Sequence, residues 1–191
     1  MKLFEIFNSR SDVRWSHGGH ESTGIFFVES KRYAVCIEML NLNSLVLPNN
    51  ASTTLKNMKL ASVMFGNIDD AGFINVKTKD APKSTQTLKI LGSVCHATQS
   101  WVKSNRPDVL VFAAKSEDNK EMAKANIYSL IANRAAKEND FVVKKLSSNK
   151  GHYFLLVKND FYRKMTEADK KILENEALGV ESKTLASLMK K

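Results

Sequence analysis

Cysteine and proline are scarce in this sequence. Two cysteines, Cys36 and Cys95, in 191 residues make no disulfide framework. Each sits among apolar neighbours (Ala34-Val35-Cys36-Ile37 and Ser93-Val94-Cys95-His96), which reads as two buried free thiols in a reducing compartment. Three prolines and eight glycines exclude collagen-like and low-complexity architectures. No apolar run approaches the roughly 20 residues that a membrane-crossing helix needs. The apolar start of the chain is interrupted by Glu5, Asn8 and Arg10 too early for a signal peptide, so cytoplasm or a virion is the expected setting. There is no Gly-x-Ser-x-Gly, no P-loop and no glycine-rich dinucleotide loop, so hydrolase, NTPase and dehydrogenase readings have no residues to rest on. Two tryptophans against ten phenylalanines point to a packed core rather than a carbohydrate cleft.

What is present is an ordinary globular composition, 43% hydrophobic and 26% charged, with enough chain to bury one core. Lysine plus arginine number 29 against 20 acidic residues, a formal net charge of +9. That surplus favours a polyanionic partner, an acidic protein or a nucleic acid.

The first half reads as strands. Gly24 to Val28 and Arg32 to Met39 are rich in aromatic and β-branched residues and flank a turn-like Glu29-Ser30-Lys31, which predicts a hairpin. Lys59–Phe65 and Gly72–Lys77 are two further strands around a loop holding Asp69-Asp70. Asn41–Met58 reads mainly as loop, with Leu42, Leu45, Val46 and Leu47 available to pin it to the core. The second half changes period. Leu88, Leu91, Cys95, Thr98 and Val102 recur at helical spacing, widened by Val94 and Trp101, after a cap at Ser84 or Thr85 and before Pro107. Asp108–Ala114 is a continuous apolar run that fits a central strand covered on both faces. Asp118 and Glu121 form a capping box that opens a second long helix to about Glu138. Phe141–Leu146 and His152–Val157 close the pattern as a hairpin.

Thr166-Glu167-Ala168-Asp169 is a third helix start, Gly179 stops that helix, and a short one follows from about Ser182 to Lys190. The expected organisation is one α+β domain over residues 1–165, a mostly antiparallel sheet covered by two long helices. Residues 166–191 form a C-terminal helical extension whose removal should leave the domain folded.

Asn126-Ile127-Tyr128, inside Lys124–Leu130 and followed by Asp140-Phe141, resembles the GNAT-type acetyltransferase pattern of a helix carrying Ala-x-x-Leu-Tyr before a Gly-Phe strand entry. The order of elements is similar to that fold as well. Pro107–Val157 also looks like small bacteriophage proteins, with Phe112-Ala113-Ala114 standing for their Phe-Ser-Ala and Ile127-Tyr128 for their Leu-Tyr. Together the resemblance covers about half the chain. It implies a GNAT-like sheet, acetyl-CoA as the cofactor of an active member, and Tyr128 as the general acid that would protonate the leaving thiolate. One departure matters. The family holds the acetyl-CoA pyrophosphate on glycine-rich backbone N–H groups at a helix start. Here the matching stretch, Lys77–Thr85, has no glycine, Pro82 removes a donor and Asp80 repels phosphate. Lys77, Lys79 and Lys83 supply charge without the cradle. The expectation is the fold without acetyl-CoA chemistry and with no cofactor, and with Tyr128 serving as a core-edge aromatic.

His17-Gly18-Gly19-His20 brings two imidazoles together in a loop, with Glu21 beside them, but a zinc site needs three or four ligands, and Cys36, Cys95 and His96 are distant in sequence. Leu178–Leu185 resembles the turn and second-helix start of a helix-turn-helix, with Asn175 where a small residue is usual and Lys183 among few basic residues on the second helix. Lys144-Lys145, Lys150, Lys158 and Arg163-Lys164 form a basic run that tracks phosphates or blunts a sheet edge. The leading reading is a phage-encoded accessory protein that acts by binding a host or phage protein, in the virion or on a host factor. The alternatives are an acyltransferase using acetyl-CoA and Tyr128, and a protein that binds nucleic acid through Lys144, Lys145 and Lys183.

Overall fold

A computed structural model of the chain describes residues 10–40, 49, 51–72, 74–75, 84–114, 129, 132–148, 151–175 and 177. The strands are β1 (Arg14–Gly18), β2 (Glu21–Val28), β3 (Lys31–Leu40), β4 (Leu60–Ile68), β5 (Ile74–Asn75), β6 (Val109–Ala114), β7 (Phe141–Ser148) and β8 (Gly151–Lys158). The helices are α1 (Thr53–Lys56), α2 (Ser84–Asn105), α3 over 132–139, α4 (Asn159–Lys164) and α5 over 167–175. The fold class is α+β with mostly antiparallel strands, as expected. Of the two expected long helices, α2 is present over 22 residues. The other, Asp118 to Glu138, enters the described residues only at Ser129 and in α3. The chain forms two compact units, Met1–Glu38 with Val63–Arg106, and Met39–Ser62 with Pro107–Lys191.

In the first unit the strand order is β1-β2-β3-β4, with β5 on β4. β1 is a correction. His17 and Gly18 were expected in a loop, yet both lie on a strand paired antiparallel to β2, with Trp15 opposite Gly24 and His17 opposite Ser22. The tight turn that follows is Gly19-His20, where Gly19 has φ +57°, a region glycine enters without a Cβ penalty. Gly24 is required for another reason. A Cβ there would stand 2.7 Å from Val13 Cγ1, 3.1 Å from Val35 Cγ1 and 3.3 Å from Trp15 Cε3. The β2–β3 hairpin turns over two residues, Glu29 and Ser30, shorter than the three expected, because Val28 pairs Lys31. Glu29 takes φ +54°, and a positive φ at this place matches the twist of the flanking strands.

Strand alternation then decides what is buried. Phe26, Val28, Tyr33, Val35 and Ile37 share one face of β2–β3 and are at most 7% exposed. On the other face Ala34 and Cys36 are buried while Phe27 is 49% exposed, so that face is covered in part. α2 packs against β2; of the stripe expected from its spacing, Leu91, Val94, Cys95, Trp101 and Val102 are buried and Leu88 and Thr98 half-buried, and Ile90, Ser93 and Ala97 are buried as well. It ends at Asn105, and Arg106, just before Pro107, takes φ +48° while its N–H closes on Val102.

The second unit holds the first residues of β4, then β6, β8 and β7 in that order. β6 is flanked on both sides, and Val109, Leu110 and Val111 are all at most 3% exposed, as a continuous apolar run requires. Asp108 stitches its start. The Asp108 carboxylate accepts from the Lys59 N–H at 2.9 Å, its N–H donates to the Lys59 carbonyl, and its carbonyl accepts from Lys158. One face of this sheet, with Val109, Val111, Leu155 and Val157, forms a core with Leu55 and Met58 around α1, and with Met165, Leu173 and Ala177. The segment from Thr166 on, expected as an extension, therefore contributes Leu173 (2% exposed) and Ala177 (0%) to the centre of the second unit.

Candidate binding surface

Among the described residues no group of three or more His, Cys, Asp or Glu side chains is placed to hold a metal ion. His17 donates to or accepts from the Ser22 hydroxyl through Nδ1 at 2.9 Å and stacks on Trp15, ring centres 5.8 Å apart. Both histidine contacts are those of an edge strand. Cys36 and Cys95 are buried free thiols, as expected. Burial pushes the Cys36 thiol up, against the lowering effect of the Thr23 hydroxyl 3.5 Å away, and Glu21 adds to the rise. A thiol held protonated in this way is a poor nucleophile.

Of the residues proposed from sequence, Tyr128 and Lys183 lie outside the described residues, as do Lys77, Lys79 and Lys83 of the expected phosphate loop. Lys144 and Lys145 are described, and the structure separates them. Lys144 pairs Leu155 and Lys145 pairs Phe154 on β8, so strand alternation sends neighbouring lysines to opposite faces of the sheet. Lys145 lies on the side of Phe112 and Phe154, whose rings stack 5.2 Å apart. Lys144 lies on the side of the core, α4 and α5.

On that second side two lysines meet over Tyr162, which sequence reading did not single out. The Lys144 ammonium stands 5.2 Å from the centre of the Tyr162 ring, and the Lys170 ammonium 4.6 Å. A cation over an aromatic face is held by the ring quadrupole. Contact with Tyr162 raises the Lys144 ammonium above the usual lysine value, with Glu174 and Glu167 adding to the effect. Lys170 is raised chiefly by its ion pair with Glu167, 2.5 Å away, whose carboxyl is lowered in return. Arg163, Lys164 and Lys171 are exposed along α4 and α5. α4 is itself tied down at its start, where the Asn159 N–H and side-chain amide donate to the carbonyl and carboxylate of Asp140.

What positions this surface is Asp169, only 2% exposed. Its Oδ2 accepts from the Thr166 hydroxyl at 2.9 Å and the Thr166 N–H at 3.3 Å, while the Asp169 N–H donates back to the Thr166 hydroxyl at 3.1 Å. This is the capping box visible in the sequence. The other carboxylate oxygen accepts from the Ser52 N–H at 3.0 Å, and Ser52 in turn caps α1 by accepting from the Leu55 N–H. Burial pushes the Asp169 carboxyl up, but these hydrogen bonds outweigh it and hold the group below the usual carboxylate range. One ionised side chain thus locks two helix starts together.

A search of protein-family models gives no match, and searches of curated proteins and of solved structures give none either.

Proposed function

We propose that the protein acts by binding rather than by catalysis, and that the basic surface of the second unit, around Lys144, Tyr162, Arg163, Lys164 and Lys170, receives an acidic protein partner. The supporting observation is the pair of lysine ammoniums over the Tyr162 ring, together with the Arg163, Lys164 and Lys171 that α4 and α5 expose. The second unit carries more of the positive surplus than the first. The described residues of the second unit carry eleven basic and seven acidic side chains, one of the latter the buried Asp169, against seven and six in the first. An acidic protein is preferred to single-stranded nucleic acid because Tyr162 already has cations on its ring, whereas strand binding uses aromatic faces for base stacking. The order of elements and the Asn126-Ile127-Tyr128 pattern support a GNAT-like scaffold of the small bacteriophage type. The glycine-free stretch Lys77–Thr85 supports a scaffold without acetyl-CoA chemistry.

The test is fluorescence anisotropy with a labelled polyglutamate peptide and a labelled DNA duplex of scrambled sequence. Polyglutamate should bind, and the triple substitution Arg163→Ala, Lys164→Ala, Lys171→Ala should weaken it about tenfold or more, since each exposed charge contributes a fraction of a kcal/mol to about 1 kcal/mol. The duplex should bind weakly and be largely released near physiological salt. Salt-resistant duplex binding that prefers one sequence would instead favour the DNA-binding reading.

A further inference from the structure

The first unit contains a contact that the proposed binding surface does not use. The stretch from Arg10 to Asp12 is laid across α2 and β2 by three hydrogen bonds. The Arg10 guanidinium reaches His96 Nδ1 at 3.1 Å, the Ser11 N–H donates to the Ser93 hydroxyl at 2.8 Å, and the Ser11 hydroxyl donates to the Phe27 carbonyl at 2.5 Å. Ser93 is fully buried and uses both its functions, since its hydroxyl also donates to the Lys89 carbonyl at 2.8 Å. A guanidinium can only donate, so His96 Nδ1 must be the acceptor and the proton of the neutral ring sits on Nε2. A proton added to His96 goes to Nδ1. It removes the acceptor and sets a cation against the guanidinium.

We propose that Arg10, Ser11, Ser93 and His96 form a pH-operated latch that holds residues 10–12 on α2 while His96 is neutral and releases them when it is protonated. Among the described residues, the charged groups facing His96 are Arg10 and Asp12 from the latched stretch and Lys103 from α2. Burial, then Arg10 and Lys103, lower the histidine, and Asp12 opposes them more weakly, so the neutral ring is the favoured form in the folded chain. The sign follows. Above the ordinary histidine value of about 6.5 the latch is closed and costs nothing. As pH falls below that value the unfolded or unlatched chain takes up the proton first, and the latch weakens until pH has fallen through the lowered folded-state value.

The experiment is an NMR titration of the full chain between pH 8 and pH 4.5, following the His96 ring and the hydrogen-exchange protection factor of the Ser11 amide. The expected result is a His96 midpoint below 6.5, with Ser11 protection falling about tenfold through the same midpoint, the worth of one hydrogen bond of this kind. Two variants separate the latch from general acid loosening. Arg10→Met should move the His96 midpoint up, because a lowering charge is gone. His96→Asn retains an acceptor near the Nδ1 position without titrating, and should leave Ser11 protection flat across the range. A midpoint at or above 6.5, Ser11 protection independent of pH in the unmodified chain, or the same pH dependence in His96→Asn would each overturn the proposal.

Discussion

Replacing Asp169 by alanine should destabilise the second unit by about 3 kcal/mol, although the residue sits in what the sequence presents as a tail. The figure has two parts. Removing a capping side chain from a helix start costs about 1 kcal/mol. Depriving the partly buried Ser52 N–H of its acceptor costs a further 1–3 kcal/mol or so, the penalty of a donor withdrawn from water without a partner. Asp169→Asn should cost less, about 1–2 kcal/mol, because one oxygen survives to accept from Ser52 while an amide replaces the oxygen that faces the Thr166 donors. The pH dependence carries the sign. Hydrogen bonds hold the folded carboxyl below its unfolded value of about 3.9, so its contribution is present above that pH and is lost as pH falls through the folded value. Urea unfolding followed by circular dichroism at pH 7 and pH 3 checks both statements. The difference between the unmodified chain and Asp169→Asn should shrink at pH 3. An Asp169→Ala variant within about 0.5 kcal/mol of the parent at pH 7 would refute the reasoning, since that is the range of a featureless surface change.

Four other outcomes follow from the packing. Leu173→Ala should cost about 2–5 kcal/mol, and truncation after Met165 should abolish the cooperative melt of the second unit, because Leu173 and Ala177 lie in its core; thermal denaturation measures both. Gly24→Ala should cost about 1–3 kcal/mol in the same assay, since its Cβ would overlap Val13 and crowd Trp15. Cys36 and Cys95 should react with a thiol reagent at least tenfold more slowly in the folded chain than in urea, because both are buried.

What was legible in the sequence were the features with local causes. The α2 stripe, the apolar run of β6, the β7–β8 hairpin and the Thr166–Asp169 box all announce themselves within a few residues, and each is present. β1 was missed because Arg14–Gly18 is a short edge strand held by backbone pairing to β2, and its Gly18-Gly19 reads as loop. The domain was expected to stay folded without the tail because its sheet and two long helices lie before Thr166; the capping box shows where α5 begins, not that Asp169 reaches Ser52 117 positions away or that Leu173 enters a core. Lys144 and Lys145 looked like one patch because they are neighbours in sequence, and a strand sends neighbouring side chains to opposite faces. Tyr162 carried no signal at all. Its importance comes from two lysines on different elements that meet over its ring.

The most direct test of the binding account is a hydrogen-exchange footprint of the full chain with and without polyglutamate at low salt. The account expects slowed exchange confined to α4, α5 and the β7 residues around Lys144, from about residue 142 to 146 and from 159 to 171. Protection confined to residues 10–40 of the first unit, or none at a saturating concentration of the peptide, would contradict it.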